Sequence, residues 1–242
     1  MRSFHRNFSE SAALVVARFL LGCLCLAPSL PVVATTVFDN TVNNSHAQFQ
    51  NSGIETGDEI QLAGTARYLT NFSFGYVLYV NDPTPHVTAC VRFYLNDGVE
   101  PFETNPVPGT MFFDSGWLSV GPPAGSIYGT LDLSAGSGLP DDGLFLPSSD
   151  FTWSIQYQGL EGSEVGGVRE FSPPVVGSDL PTFWSNFGGN WVEQGSSRGA
   201  IDFNALFEAS DVPEPSVLAT FFLGIVILLF CPRNRRTPVN PS

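Results

Sequence analysis

The sequence contains no lysine. Its ten basic residues are all arginine, set against 23 carboxylates, and the formal net charge is −13. A Schiff-base lysine and a phosphate-loop lysine are therefore excluded. So is a basic nucleic-acid surface, whose affinity depends on Lys and Arg neutralising phosphates. Histidine is scarce. Only His46 and His86 lie beyond the N-terminal segment, and two isolated histidines give no zinc spacing. No Gly-x-Ser-x-Gly elbow marks a serine hydrolase. Cysteine is nearly absent where it would matter. Cys23 and Cys25 fall in the apolar N-terminal segment and Cys231 in the apolar C-terminal run, so Cys90 alone remains in the middle. Without a second thiol the middle has no internal disulfide and must hold together by core packing. Alternation puts Cys90 on one strand face with Arg92, which reads as an ordinary half-buried thiol.

What is present is a turn-rich and aromatic chain, with 24 glycines, 19 prolines and 13% Phe, Trp and Tyr. That aromatic content supplies the buried area a folded domain needs. The charges are segregated. Residues 35–212 hold four arginines (Arg67, Arg92, Arg169, Arg198) and 21 carboxylates, a formal charge of −17, while the other arginines sit at the two ends. Basic ends around an acidic middle point to membrane topology.

Residues 1–34 read as a signal peptide. Arg2, His5, Arg6 and Arg18 precede the short apolar run Phe19 to Ala27, and Pro28 and Pro31 break any helix beyond it. A run of that length is too short to cross a hydrocarbon core of roughly 30 Å. Small residues at Val32-Val33-Ala34 predict a mature start near Thr35. A rival is the loose lipoprotein-like box Leu20-Leu21-Gly22-Cys23. At the other end, residues 216–232 are uncharged and predict a single transmembrane helix of about 25 Å. Arg233, Arg235 and Arg236 follow at once, and the positive-inside bias keeps them cytoplasmic and the acidic middle outside.

Immediately before this span stands Pro213-Glu214-Pro215. A Pro-Glu-Pro tripeptide, a short apolar helix and a terminal arginine cluster, in that order over residues 212–236, resemble the PEP-CTERM sorting domain of exported proteins of Gram-negative bacteria. The resemblance covers only this tail, with 237–242 as a remnant beyond it. It implies recognition and cleavage at Pro213-Glu214-Pro215 by an exosortase-type membrane protease. It further implies an inner-membrane precursor that becomes a cell-surface or extracellular product, in organisms that make exopolysaccharide. Beside it stands a physical reading: two prolines deny the segment helix and ladder hydrogen bonds and keep it extended. A plain juxtamembrane linker would have the same composition.

Residues 35–211 are predicted to form one all-β ectodomain, a β-sandwich or jelly roll. Phe151, Trp153, Ile155 and Tyr157 alternate with Thr152, Ser154, Gln156 and Gln158. Val87 to Leu95 does the same, and Phe72, Phe74, Tyr76, Leu78 and Val80 form a third apolar face. Shorter candidates are 58–63, 111–120, 127–133, 182–187 and 199–207. Turn signals divide them at Asn96-Asp97-Gly98, Asp141-Asp142-Gly143, Gly166-Gly167, Pro173-Pro174 and Gly188-Gly189, among others.

The middle shows no catalytic motif, so no enzyme is expected; a glycoside hydrolase would need two converging carboxylates, which composition neither shows nor excludes. No cofactor is expected either. Calcium is the one candidate, because acidic loops supply the hard oxygens it takes. Asp141 and Asp142 with Asp150, or Asn96-Asp97-Gly98 with Glu100, are the best clusters, against the reading that Asp and Asn simply make turns. Trp184 and Trp191 are candidates to stack on sugar rings if exposed; core packing is the competing reading. The expected function is a non-enzymatic exported surface or extracellular-matrix protein associated with exopolysaccharide. The alternatives are a secreted carbohydrate-binding module and a secreted glycoside hydrolase.

Overall fold

The computed structural model describes residues 33–51, 53–80, 86–99, 106–121, 128–195 and 202–211. The signal segment 1–32, Pro213-Glu214-Pro215, the span 216–232 and Arg233, Arg235 and Arg236 lie outside the described residues. Among those described, no helix is long and apolar enough to cross a membrane.

The strands are β1 (Thr35–Asp39), β2 (Asn44–Asn51), β3 (Glu55–Gln61), β4 (Tyr68–Tyr79), β5 (Thr88–Leu95), β6 (Met111–Ser119) and β7 (Tyr128–Ala135). They continue with β8 (Gly138–Leu139), β9 (Leu144–Phe145), β10 (Asp150–Gln158), β11 (Val165–Phe171), β12 (Ser178–Phe187), β13 (Asn190–Gln194) and β14 (Ala205–Ser210). They build two sheets, an all-β arrangement consistent with a β-sandwich. One sheet runs β1-β14-β4-β11-β2, with β7 and β9 on β4 and β8 on β7; the other runs β13-β12-β3-β10-β5-β6.

The apolar side chains of both sheets meet in one core. Phe72 lies at its centre, with ring centroids 4.6 Å from Phe207, 5.3 Å from Phe93 and 5.4 Å from Trp153. Alternation explains who contributes. Phe151, Trp153, Ile155 and Tyr157 of β10, Ala89, Val91 and Phe93 of β5, and Phe72, Phe74, Tyr76 and Leu78 of β4 all belong to this core. An acidic, lysine-free domain without a disulfide thus holds itself together through aromatic packing.

Several strands differ from expectation. The Gly166-Gly167 turn signal lies inside β11, because the Tyr157 ring packs on this backbone. A Cβ on Gly166 would meet Tyr157 Cγ at 2.7 Å, and Tyr157 Oη donates to the Gly167 carbonyl at 2.8 Å. Glycine here makes room for a ring. Gly188-Gly189 is a turn as expected. With φ of 68° and 102° it forms the two-residue link between β12 and β13, where type I′ geometry asks for positive φ at both positions.

Candidate functional site

The outer face of the six-stranded sheet carries an unusual amount of buried polarity. β3, β10 and β5 pair in register, so Gly57, Ser154 and Arg92 form one outward row and Glu59, Thr152 and Tyr94 the next. Glu55 is the hub. Its Oε1 accepts from Tyr94 Oη at 2.9 Å and Ser154 Oγ at 2.7 Å, and lies 3.3 Å from Arg92 Nη1; its Oε2 accepts from Asn186 Nδ2 at 3.2 Å. Arg92 also donates through Nε to Asp114 at 2.9 Å and through Nη1 to Gln156 at 3.1 Å. Burial alone would lower the Arg92 guanidinium, but Asp114 and then Glu55 raise it above its ordinary value. Burial, reinforced by Glu55, likewise pushes up the Tyr94 phenol.

A small second core covers part of this face. Trp184, Trp191, Tyr94 and Val107 cluster, with Tyr94 and Trp191 edge to face at 5.2 Å. Val107 is brought back over the sheet by the arm that follows β5, where Gly98 and Val107 bridge and Thr110 binds the Asp97 carboxylate through its amide and hydroxyl. These bonds hold Asp97 below the usual carboxylate range. The Asn96-Asp97-Gly98 cluster thus spends oxygens on loop geometry, and Glu100 lies outside the described residues.

Trp184 and Trp191, candidates for sugar stacking if exposed and for core packing otherwise, are 0% and 6% exposed. Both pack with Tyr94 and Val107 in this second core. The exposed ring on this face is Trp117, at 44%, which is paired with Cys90 and stands 5.9 Å from the Arg92 guanidinium. Composition could not separate it from the other tryptophans, because its place opposite Cys90 comes from the β5–β6 pairing. Cys90 itself is buried, its thiol donates to Asp114 Oδ1, and burial pushes it up to about 12. It is no nucleophile at neutral pH.

The three calcium candidates do not gather. Asp141 and Asp142 are exposed in the turn before β9, whereas Asp150 begins β10 on the other sheet and accepts from Asn96 Nδ2 at 2.6 Å. Among the described residues no group of three His, Cys, Asp or Glu side chains stands as a ready-made metal site. Asp150 adjoins Glu59 instead. Comparison with family models, with curated proteins and with solved structures finds no match. The chemistry of this face therefore rests on its own geometry.

Glu59 is the carboxyl on it that its surroundings push highest. Burial raises the Glu59 carboxyl from an ordinary 4.5 to about 8, and the Asp150 carboxylate beside it adds to the rise. The folded domain holds a proton here that the unfolded chain releases near 4.5. Between that value and about 8 the folded state binds more protons, so the stability from this group is present below 4.5 and is lost as pH rises towards 8. Glu59→Gln is expected to remove this part of the decline and to be more stable than the natural chain at pH 8. Chemical denaturation across that range checks it; an unchanged slope would show that Glu59 is ionised in the fold.

Proposed function

We propose that the chain is an exported, non-enzymatic surface or extracellular-matrix protein. In this reading a PEP-CTERM-like tail sorts a β-sandwich or jelly-roll ectodomain through an exosortase-type protease, and the product associates with exopolysaccharide. The observation that carries the reading is where the described domain begins and ends. β1 starts at Thr35, beside the predicted signal cleavage point, and β14 ends at Ser210, just before Pro213-Glu214-Pro215. β1 and β14 are antiparallel neighbours with Thr35 opposite Ala209, so the chain enters and leaves the domain at one point. A domain whose first and last strands are paired is suited to a single attachment.

The commitments of Glu55 and Asp114 on the outer face support the non-enzymatic part. Glu55 and Asp114 are tied to Arg92, Tyr94, Ser154 and Asn186 and hold the sheet together. The test is mass spectrometry of the mature protein from the native host. A new C-terminus near Pro213-Glu214-Pro215 is expected, and a surface form still ending beyond Arg236 would overturn processing. A second reading, a carbohydrate-binding module, is favoured by the exposed Trp117 beside Arg92, Asp114 and Gln156. Aromatic rings flanked by planar polar groups suit sugar faces. Polysaccharide pull-down that is unaffected by Trp117→Ala would remove that site.

A further inference from the structure

At one end of the main core, the side chains of Asp58 and Asn40 converge on the backbone of Phe203. Phe203 forms a bridge with Glu170 in which the flanking bonds run from Phe171 N–H to the Asp202 carbonyl and from Asn204 N–H to the Arg169 carbonyl. The N–H and C=O of Phe203 therefore point away from β11. Asp58 Oδ2 accepts from that N–H at 2.8 Å, and Asn40 Nδ2 donates to that C=O at 3.1 Å and to the Phe171 carbonyl at 2.6 Å. Asp58 and Asn40 are thus held on the same side of one residue. Asp202 is the next residue along the chain. Asp179 pairs with Ile60, two positions from Asp58 on the same inward face, so the two carboxylates are diagonal neighbours.

These groups leave oxygens with no donor. Asp58 Oδ1, Asp202 Oδ1, Asp179 Oδ2 and Asn40 Oδ1 are all shielded from solvent and without a hydrogen-bond partner. Asp58, Asp202 and Asn40 are 0%, 2% and 1% exposed. Carboxylates buried this way are costly unless something positive meets them. The described arginines are committed elsewhere. Arg67 binds the carbonyls of Ala66 and Gly64, Arg92 lies on the outer face, and Arg169 covers the rings of Tyr128 and Phe171. Arg198 lies outside the described residues.

We infer that Asp58, Asp202 and Asn40, with Asp179 at the rim, bind a hard divalent cation of the calcium class. Calcium takes mixed carboxylate, amide and carbonyl oxygens in flexible geometry. Such a site uses Asn40 Oδ1 and neighbouring carbonyls as well as carboxylates, so it does not require three acidic side chains already in place. It differs from the loop clusters at Asp141 and Asp142 by being inside the domain, where cation binding stabilises the fold.

The test uses the full chain with terbium as a calcium probe. Trp153 pairs directly with Asp58 across β3 and β10, so terbium bound there should emit when tryptophan is excited. The expected result is sensitised emission that calcium displaces, together with a melting midpoint that rises with calcium concentration. Both responses should be lost in Asp58→Asn and in Asp202→Asn and kept in Asp141→Asn. Absence of emission and of any calcium shift in the natural chain would overturn the site. Emission that survives both core substitutions would place the cation elsewhere and overturn the site as well. So would a calcium-independent gain in stability in Asp58→Asn, which would show that a proton neutralises the carboxylate.

Discussion

Replacing Trp153 with alanine is expected to lower the stability of the domain by about 3–5 kcal/mol, the cost of removing a large ring from a packed core. Trp153 is fully buried, with ring centroids 5.4 Å from Phe72, 5.4 Å from Phe74 and 5.9 Å from Phe203. Phe72 and Phe74 belong to β4 in one sheet and Trp153 to β10 in the other, so the ring is a direct link between layers. Its loss opens a cavity that neither sheet can close alone, because each strand is fixed by its ladder. For a domain of this size the midpoint should fall by on the order of 10 °C. Natural domains are stable by only about 5–15 kcal/mol, so this one change approaches the limit of folding. Trp153→Phe keeps an aromatic ring and should recover most of the loss. Calorimetry of the three proteins checks the series. A loss below about 1 kcal/mol in the alanine variant would mean that the two sheets do not share this core.

The core was readable because its strands obey a period of two. Phe151, Trp153, Ile155 and Tyr157 announced β10, and the alternating aromatics of β4 announced its inward face. Where strand and turn chemistry overlap, the reading failed. Gly166-Gly167 has the composition of a turn, and only the Tyr157 ring from a neighbouring strand explains why two glycines continue β11. β1 and β2 were missed because neither shows a period-two apolar stripe: β1 has only the adjacent pair Val37-Phe38, and β2 is mostly polar. Their place comes from pairing with β14 and β11, far along the chain.

The site was less legible than the fold, for a related reason. Trp184 and Trp191 were visible as aromatics, but their exposure depends on Val107, many residues earlier in the sequence. The register shift in β12 between Asp179 and Phe183 also breaks the parity that would tell inward from outward. Carboxylates are harder still. Composition counts them without saying which share a face, and the partners of Glu55 come from β5, β10 and β12. Asp58 looked like any other acidic residue until the topology brought it to the backbone of Phe203, beside Asp202.

Glu55→Ala should be the most damaging change on the outer face, costing about 3 kcal/mol or more, as expected when one member of a buried charge network is removed. Four side chains lose their acceptor at once: Tyr94, Ser154, Arg92 and Asn186. Asn186 then has no tie between β12 and this hub. Arg92 keeps Asp114 and Gln156, so the guanidinium is not stranded, and the cost should stay below that of an isolated buried charge. Glu55→Gln keeps the shape and one strong acceptor oxygen but removes the charge facing Arg92, so it should fall between the alanine variant and the natural chain. A readout besides stability separates electrostatics from packing. The Glu55 charge helps hold the Tyr94 phenol above its ordinary value, so an ultraviolet titration should show Tyr94 ionising at lower pH in Glu55→Gln, while that variant remains folded. If the tyrosine titration does not move, the carboxylate is not the group that organises this face. If it moves without loss of stability, Glu55 tunes the face electrostatically and the sheet is held by its ladder and its aromatic cover alone.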